Sequence, residues 1–264
     1  MNAAAHDSET RRLSPVHCLY HWAKKTPNSV YLTQPFNDGT VVDYTWQQTL
    51  DQVESMAAYL RLLALPANSH IAILGKNSAH WVMADLAIWM AGHVSVPLYP
   101  TLSADTAQYV LEHSEVKLMF IGKLDGKADT WFDVKEAIPS DLPCITLPMA
   151  PDVRAQKRGK SWQDIVTSTT PVKAMKLPDP NSLATLIYTS GSTGKPKGVM
   201  HDFKTLMHVA NNMEKQFGLS PDERLLSYLP LAHCLERILI ETMSLYIGCH
   251  VFFAENLDTF VADL

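Results

Sequence analysis

A short apolar segment that leads directly into a loop of glycines, hydroxyl side chains and lysines constrains the fold most strongly. The segment Leu183-Ala-Thr-Leu-Ile-Tyr188 is apolar and partly β-branched, which predicts a buried strand. The loop that follows reads Thr189-Ser-Gly-Ser-Thr-Gly-Lys-Pro-Lys-Gly198. Its glycines allow positive φ angles, so successive backbone N–H groups can face an anion, and its lysines add positive charge. The pattern predicts a phosphate-binding loop at the end of a buried strand.

The spacing within this loop excludes the commonest phosphate-binding motif. A Walker A loop consists of a glycine, four further residues and then Gly-Lys followed by Ser or Thr. Thr189 stands where that first glycine is required, and Pro196 stands where the Ser or Thr is required. A flexible Gly/Ser linker is the structural alternative, but linkers are rarely joined directly to an apolar strand. The loop is therefore interpreted as a phosphate site that differs from that of P-loop NTPases.

Predicted strands and helices alternate along the chain, which indicates an α/β fold with a parallel-rich sheet. Short apolar strands such as Ile71-Ala-Ile-Leu74 are typical of a sheet that helices cover on both faces. Prolines are frequent over 141–180, which favours a connector. We therefore expect layered parallel-rich sheets flanked by helices, in two similar α/β sub-domains over 13–140 and 181–264, after a disordered tail over 1–12.

Local patterns predict the starts of helices and the roles of two charged residues. Thr45 and Gln48 have the spacing of a capping box, which predicts that a helix begins after Thr45. His201 to Phe217 is predicted to be a helix that follows the glycine-rich loop. Glu236 and Arg237 are interpreted as structural residues that form an ion pair with each other.

Composition excludes several classes of protein. With 264 residues, of which 47% are hydrophobic, the chain can bury a sizeable core. A net charge of −5 with scattered basic residues argues against a nucleic-acid-binding surface. The apolar windows 81–91 and 238–253 are interrupted by charged residues, so neither is predicted to span a membrane. Cysteines without CxxC spacing indicate reduced thiols in a cytoplasmic protein. The basic run 154–160 leaves peripheral membrane contact as an alternative to a solvated loop.

The loop motif resembles the signature of a known family. Residues 188–198 match the pattern [Tyr/Phe]-Thr-Ser-Gly-[Ser/Thr]-Thr-Gly-x-Pro-Lys-Gly at eleven positions without a gap. This pattern is similar to the phosphate-binding motif of the AMP-forming, adenylate-forming enzymes, which include acyl-CoA synthetases, luciferases and the adenylation domains of peptide synthetases. Segments 96–101 and 229–237 most resemble the long-chain fatty acyl-CoA synthetase branch. Segments 77–81 and 96–101 are interpreted as purely structural landmarks of that family.

The resemblance implies roles for individual residues. Lys197 is implied to act in catalysis by stabilising the loop or the pyrophosphate. His233 is implied to lie near the acyl-adenylate and to line the acid pocket, with a core or helix-capping histidine as the alternative. The Ser192 hydroxyl is implied to lie nearest a magnesium ion. The residues implied to contact the phosphates are Thr189, Ser190, Gly191, Ser192, Thr193, Gly194 and Lys195, together with Lys197.

The reaction implied by the resemblance has two steps and uses ATP, Mg²⁺ and coenzyme A. A carboxylate, expected to be that of a long-chain fatty acid, attacks the α-phosphorus of ATP and gives acyl-AMP and pyrophosphate. The coenzyme A thiol then displaces AMP. The family's magnesium-binding Glu, ribose-binding Asp and catalytic Lys have no match here, so the chain is expected to be an N-terminal part that is inactive alone. A fatty acyl-AMP ligase, another adenylation domain and a non-catalytic nucleotide-binding fragment are the alternatives.

Overall fold

Two β-sheets with helices packed against them form the fold of this chain. The expected tail over 1–12, most of the basic run and the loop residues Ser190, Gly191, Ser192 and Thr193 lie outside the described residues. The computed structural model describes residues 13–36, 38–124, 130–151, 159–172, 177–189 and 194–255.

The part of the chain before residue 125 contributes to both sheets. Its helices begin at capping side chains: Ser14 caps the first helix, Thr45 and Gln48 form the predicted capping box of the second, and Ser78 caps the third. The elements are α1 (Pro15–Lys25), β1 (Val30–Pro35), β2 (Val41–Thr45), α2 (Trp46–Leu62), β3 (His70–Leu74), α3 (Ala79–Ala91), β4 (Val94–Leu98), α4 (Ala104–His113) and β5 (Leu118–Ile121).

The remaining elements complete the same two sheets. The last helix of the described residues, α8, joins the segments Cys234–Glu236, Arg237–Thr242 and Met243–Ile247, of which the middle one is π-helical. The other elements are α5 (Thr130–Val134), β6 (Cys144–Thr146), β7 (Lys160–Ser161), α6 (Trp162–Ser168), β8 (Leu183–Thr189), β9 (Lys197–Asp202), α7 (Phe203–Phe217), β10 (Arg224–Ser227) and β11 (His250–Phe253).

The strand order confirms a parallel-rich α/β fold. The larger sheet has seven strands in the order β7-β6-β5-β3-β4-β8-β9, and all neighbours are parallel except β8 and β9. The smaller sheet has the order β10-β11-β1-β2, and β1 and β2 form its antiparallel hairpin. Each sheet therefore combines strands from the predicted segments 13–140 and 181–264. The division of the chain into sub-domains at residues 140 and 180 stays a prediction.

Helix α3 forms the centre of the main core. All of its residues except Ala91 are buried. It contacts β1 of the smaller sheet and both β3 and β4 of the larger sheet, so it lies between the two. A helix that is apolar on every face is stable only when it is enclosed in this way. One acidic residue, Asp85, is buried within it.

The segment after the glycine-rich loop departs from the prediction. Lys197–Asp202 is a strand, β9, which returns antiparallel to β8 with Tyr188 opposite Gly198 and Leu183 opposite Asp202. The helix begins at Phe203 because the Asp202 side chain accepts a hydrogen bond from the Thr205 N–H at 2.7 Å. The prediction of a helix from His201 was therefore wrong at its start, and β9 was not predicted.

The predicted ion pair between Glu236 and Arg237 is also wrong. Consecutive residues of a helix point about 100° apart and do not face each other. Arg237 instead contacts Asp85 through Nη2, which also donates to Ser95 Oγ at 2.9 Å, and its Nε lies 3.4 Å from Glu241 Oε2. Glu236 points in another direction, toward the end of β10.

None of the helices in the described ranges is both long enough and apolar enough to cross a membrane.

Candidate functional site

A pocket of about 660 Å³ opens where the carboxyl ends of β4 and β8 lie side by side. Ligands of open α/β sheets bind at this edge, because the loops that leave parallel strands converge there. Helix α4 forms one wall, and the turn before α8 forms another. The lining residues are Pro97, Leu98, Tyr99, Thr101, Leu102, Thr106, Val110, Ile187, Tyr188, Thr189, Gly194, Pro196, His233 and Cys234.

The two described ends of the predicted phosphate loop lie at this pocket. Its two ends are closed by the pairing of Thr189 with Lys197 in the β8–β9 ladder. Gly194 has a φ of +86°, a left-handed conformation that a side chain disfavours, as the sequence predicted for a glycine of this loop. Thr189, Gly194 and Pro196 all line the pocket. The described ends of the loop therefore place it beside the carboxyl ends of β4 and β8.

Gly198 packs closely against the ring of Tyr188. A Cβ at this position would lie 3.2 Å from Cζ of Tyr188, which is closer than ordinary van der Waals contact. The Tyr188 hydroxyl forms a hydrogen bond of 2.8 Å with Nδ1 of His113, and burial raises the pKa of this tyrosine. The ring is therefore held under β9, and it supports the base of the loop.

The two lysines of the loop are exposed on either side of Pro196. Lys195 Nζ lies 5.6 Å from the ring centroid of Tyr109 on α4, within the range of a cation–π contact. Lys197 is the first residue of β9. Both ammonium groups remain hydrated, so they can approach an anion without first breaking a buried ion pair.

His233 caps a helix, one of the two roles that the sequence left open, and it also lines the pocket. Its Nδ1 accepts a hydrogen bond of 3.2 Å from the Leu235 N–H, so it caps α8. Its ring also lines the pocket, with its centroid 6.4 Å from that of Tyr99 in an edge-to-face arrangement. Because Nδ1 is an acceptor, a neutral His233 carries its proton on Nε2, which can donate to a ligand.

The sequence interpretation missed the contribution of segment 96–101. It treated these residues as purely structural, yet Tyr99 and Thr101 line the pocket, and burial raises the pKa of Tyr99. Leu102 and Val110 extend this wall in α4. The missing information was the strand order: β4 is the neighbour of β8, although about 90 residues separate them along the chain.

The described lining does not by itself fit a magnesium ion. Magnesium is usually held by one or two carboxylates together with water and phosphate oxygens. The lining residues named above include hydroxyl groups and an imidazole but no Asp or Glu. The described residues also contain no cluster of three or more His, Cys, Asp or Glu side chains that could hold a metal. Ser192, the predicted metal neighbour, lies outside them.

The family model and the curated relatives that match this chain agree with each other. The family model described as AMP-binding enzyme matches residues 19–264. Fatty acyl-CoA synthetase A of Dictyostelium discoideum is 32% identical over 231 residues, which cover 83% of this chain and 34% of that protein. A long-chain-fatty-acid–CoA ligase of Mycobacterium bovis, FadD15, is 33% identical over 206 residues, which cover 76% of this chain and 33% of that protein. The chain therefore spans about a third of the length of these curated relatives.

Solved structures share the fold. The anthranilate CoA ligase AuaEII, in complex with anthranoyl-AMP, superposes with a TM-score of 0.79 at 17% identity, over 95% of this chain and 46% of that one. The inhibitor-bound N-terminal domain of FACL13 from Mycobacterium tuberculosis gives a TM-score of 0.77 at 20% identity, over 94% and 59% of the two chains. At such identities the likeness establishes the fold alone.

Proposed function

Because the chain belongs to the AMP-binding enzyme family, we propose that the whole protein activates a long-chain fatty acid with ATP and transfers the acyl group to coenzyme A. The observation that carries this proposal is the position of the family's loop motif. The motif leaves the carboxyl end of β8 beside a pocket with apolar walls. The curated relatives named above support the choice of a long-chain fatty acid.

The reaction balances without a redox partner. A carboxylate oxygen of the acid attacks the α-phosphorus of ATP, and the bond from that phosphorus to the pyrophosphate oxygen breaks. The thiol sulfur of coenzyme A then attacks the acyl carbon, loses its proton, and the bond to the AMP oxygen breaks. In both steps the barrier includes repulsion between anions, and fixed donors lower it where the negative charge develops.

The loop supplies those donors in this proposal. By the family motif, the loop contacts the phosphates through backbone N–H groups, and the left-handed Gly194 turns the chain back toward β9. Lys197 follows the loop at the start of β9, where it can stabilise the departing pyrophosphate. Lys195 contributes charge from the α4 side. Magnesium supplies further neutralisation of phosphate charge when it is bound, and no step is assigned to it.

The apolar part of the lining receives the acyl group in this proposal. Leu98, Val110 and Ile187 give the pocket this apolar surface, which suits the alkyl part of an acyl-adenylate. Tyr99 and His233 stand beside it, and the Nε2 proton of His233 can donate to an oxygen of the intermediate. In this proposal the pocket thus combines polar donors for the phosphates with an apolar surface for the acyl chain.

Fatty-acid-dependent exchange of pyrophosphate into ATP by the whole gene product tests the first step. We expect exchange with medium-chain or long-chain acids, and its absence with every such acid would contradict the proposal. The 264-residue chain by itself is expected to give none, because its described pocket lacks a carboxylate for magnesium. Acyl-CoA measured by mass spectrometry tests the second step. Accumulation of acyl-AMP without acyl-CoA would favour a fatty acyl-AMP ligase instead.

A further inference from the structure

Asn77 links the carboxyl-end edge of the larger sheet to a turn that follows the smaller sheet. It lies in the connection between β3 and α3, yet its side chain reaches the segment after β10. Its Nδ2 donates to the Leu229 carbonyl at 2.5 Å and to Ser227 Oγ at 2.8 Å. Its Oδ1 accepts from the Leu231 N–H at 2.9 Å. One amide side chain therefore satisfies both a donor and an acceptor of the turn's backbone.

Glu236 holds the same turn from the other side. Its Oε1 accepts from the Tyr228 N–H at 2.9 Å and from Ser227 Oγ at 3.0 Å. The Asn77 Nδ2 lies 3.4 Å from the same oxygen. Glu236 is only 3% exposed and Ser227 is fully buried, so water competes little for these bonds. Asn77 and Glu236 thus form one buried polar network, which we call the clamp.

The clamp precedes the residues that line the pocket. The turn continues through Pro230, whose carbonyl accepts from the His233 N–H at 2.8 Å, and then to His233 and Cys234 in the pocket wall. Apolar packing holds this turn weakly, because Tyr228 is 45% exposed and Leu229 is 36% exposed. Leu231 and Ala232 are buried, so apolar packing holds the turn at these two residues. The direction of the turn depends on the hydrogen bonds to Asn77 and Glu236.

We propose that Asn77 and Glu236 are positioning residues that fix the turn 228–233 and thereby place His233 against the ends of β4 and β8. The two sheets meet at this edge, and the clamp is a direct bond between the connection that leaves β3 and the one that leaves β10. Neither side chain lines the pocket, so neither is assigned a catalytic role. This placement bears on the reaction only if the proposed function holds.

Cys234 provides a probe of this turn that needs no enzyme activity. It is half-buried in the pocket wall, whereas Cys18, Cys144 and Cys249 are buried. Burial also raises the pKa of Cys249 to about 12, which keeps its thiol unreactive. Modification of each cysteine by a thiol reagent, followed over time by peptide mass spectrometry, therefore separates local opening of the turn from unfolding of the whole chain.

We expect N77A and E236A to accelerate modification of Cys234 by about fivefold or more, since each removes buried hydrogen bonds worth about 1 kcal/mol apiece. The rates at the three buried cysteines should stay as in the wild type. E236Q keeps an acceptor oxygen and should remain within about twofold of the wild type. The matched control is Q52A, which removes the bond from Trp162 Nε1 to Gln52 Oε1 (2.9 Å) elsewhere in the core. An unchanged Cys234 rate, or an equal increase at all four cysteines, would overturn the clamp.

Exchange activity of the whole gene product tests whether the clamp matters for catalysis. N77A and E236A are expected to lower kcat about tenfold, whereas Q52A and E236Q should stay within about twofold. Equal activity of all four variants would overturn the positioning role. If the wild-type protein shows no exchange, the proposed function fails, and the cysteine rates still decide whether the clamp orders the turn.

Discussion

Two groups of charged side chains in this molecule have opposite environments. Lys195 and Lys197 are exposed beside the phosphate loop. Arg237, Asp85 and Glu241 lie in the core at 0%, 0% and 1% exposure. An exposed charge keeps its water and costs the fold little, so it is available to a ligand. A buried charge loses its water and is tolerated only with partners, so it is committed to the fold.

The buried group, which we call the core charge cluster, places the two carboxyl groups beside the one guanidinium. The Arg237 guanidinium contacts Asp85 and lies between the rings of Trp81 and Trp89, 5.5 and 5.2 Å from their centroids. Burial and the neighbouring Asp85 carboxylate raise the pKa of Glu241 well above its ordinary value. Burial also raises the pKa of Asp85, and the Arg237 guanidinium opposes the rise at both carboxyl groups.

Removal of the core charge cluster's cation should give the largest effect. R237M leaves a carboxylate buried without its partner, so we expect the free energy of unfolding at pH 7 to fall by about 3–5 kcal/mol. Urea denaturation followed by circular dichroism measures it. The control is the triple variant D85L/R237M/E241M, which removes all three ionisable side chains and should recover most of the loss. A loss under about 1 kcal/mol in R237M would show that the buried ion pair contributes little to the stability of the fold.

Glu236 belongs neither to the exposed lysines nor to the core charge cluster. Its titration should change the free energy of unfolding with pH. Burial raises its pKa from 4.5 to about 7. The folded state therefore binds this proton more tightly than the unfolded state. The resulting stabilisation is complete below about pH 4.5 and is lost as the pH rises through about 7. Its full size is about 3 kcal/mol, from 1.36 kcal/mol per pKa unit.

E236Q isolates this titration, because glutamine has no proton to lose. From pH 4.5 to pH 8 the unfolding free energy of E236Q should rise relative to the wild type by up to about 3 kcal/mol. Denaturation curves of both proteins across this range measure the difference, and all other titrating groups cancel in it. A difference that stays constant with pH would mean that Glu236 keeps an ordinary pKa.

The exposed lysines should show the smallest effect on the fold and a separate effect on function. K197A and K195A should each change the unfolding free energy by less than about 0.5 kcal/mol, as is usual for surface positions. In the whole gene product, K197A should slow pyrophosphate exchange about tenfold, equivalent to about 1.4 kcal/mol, and K195A less. K204A, an exposed lysine of α7 outside the loop, is the control and should retain exchange. Equal rates for K197A and K204A would remove Lys197 from the proposed mechanism.

Local patterns in the sequence predicted what neighbouring residues decide among themselves. The capping box of Thr45 and Gln48 depends on atoms three residues apart, and the structure has it as predicted. The left-handed Gly194 and the position of the loop after a buried strand also follow from local chemistry. The alternation of strands and helices was sufficient for the fold class.

Contacts between residues that are far apart in the chain could not be predicted from the sequence in the same way. The β9 strand was missed because it forms by pairing with β8 across the loop, with Tyr188 opposite Gly198, and the sequence pattern of 197–202 alone does not show that pairing. Arg237 pairs with Asp85, 152 residues away, rather than with its neighbour Glu236. Asn77 bonds to Leu229 across the same separation of 152 residues. Segment 96–101 enters the pocket because β4 is adjacent to β8.

The sequence by itself thus determined the strand that precedes the glycine-rich loop and the family to which the chain belongs. Only the tertiary structure decided which charges are buried, which side chains hold the turn of His233 and which walls face the loop. The physical reason is range: capping and backbone conformation are settled within a few residues. Ion pairs, buried hydrogen bonds and pocket walls instead depend on which strands become neighbours when the two sheets close around α3.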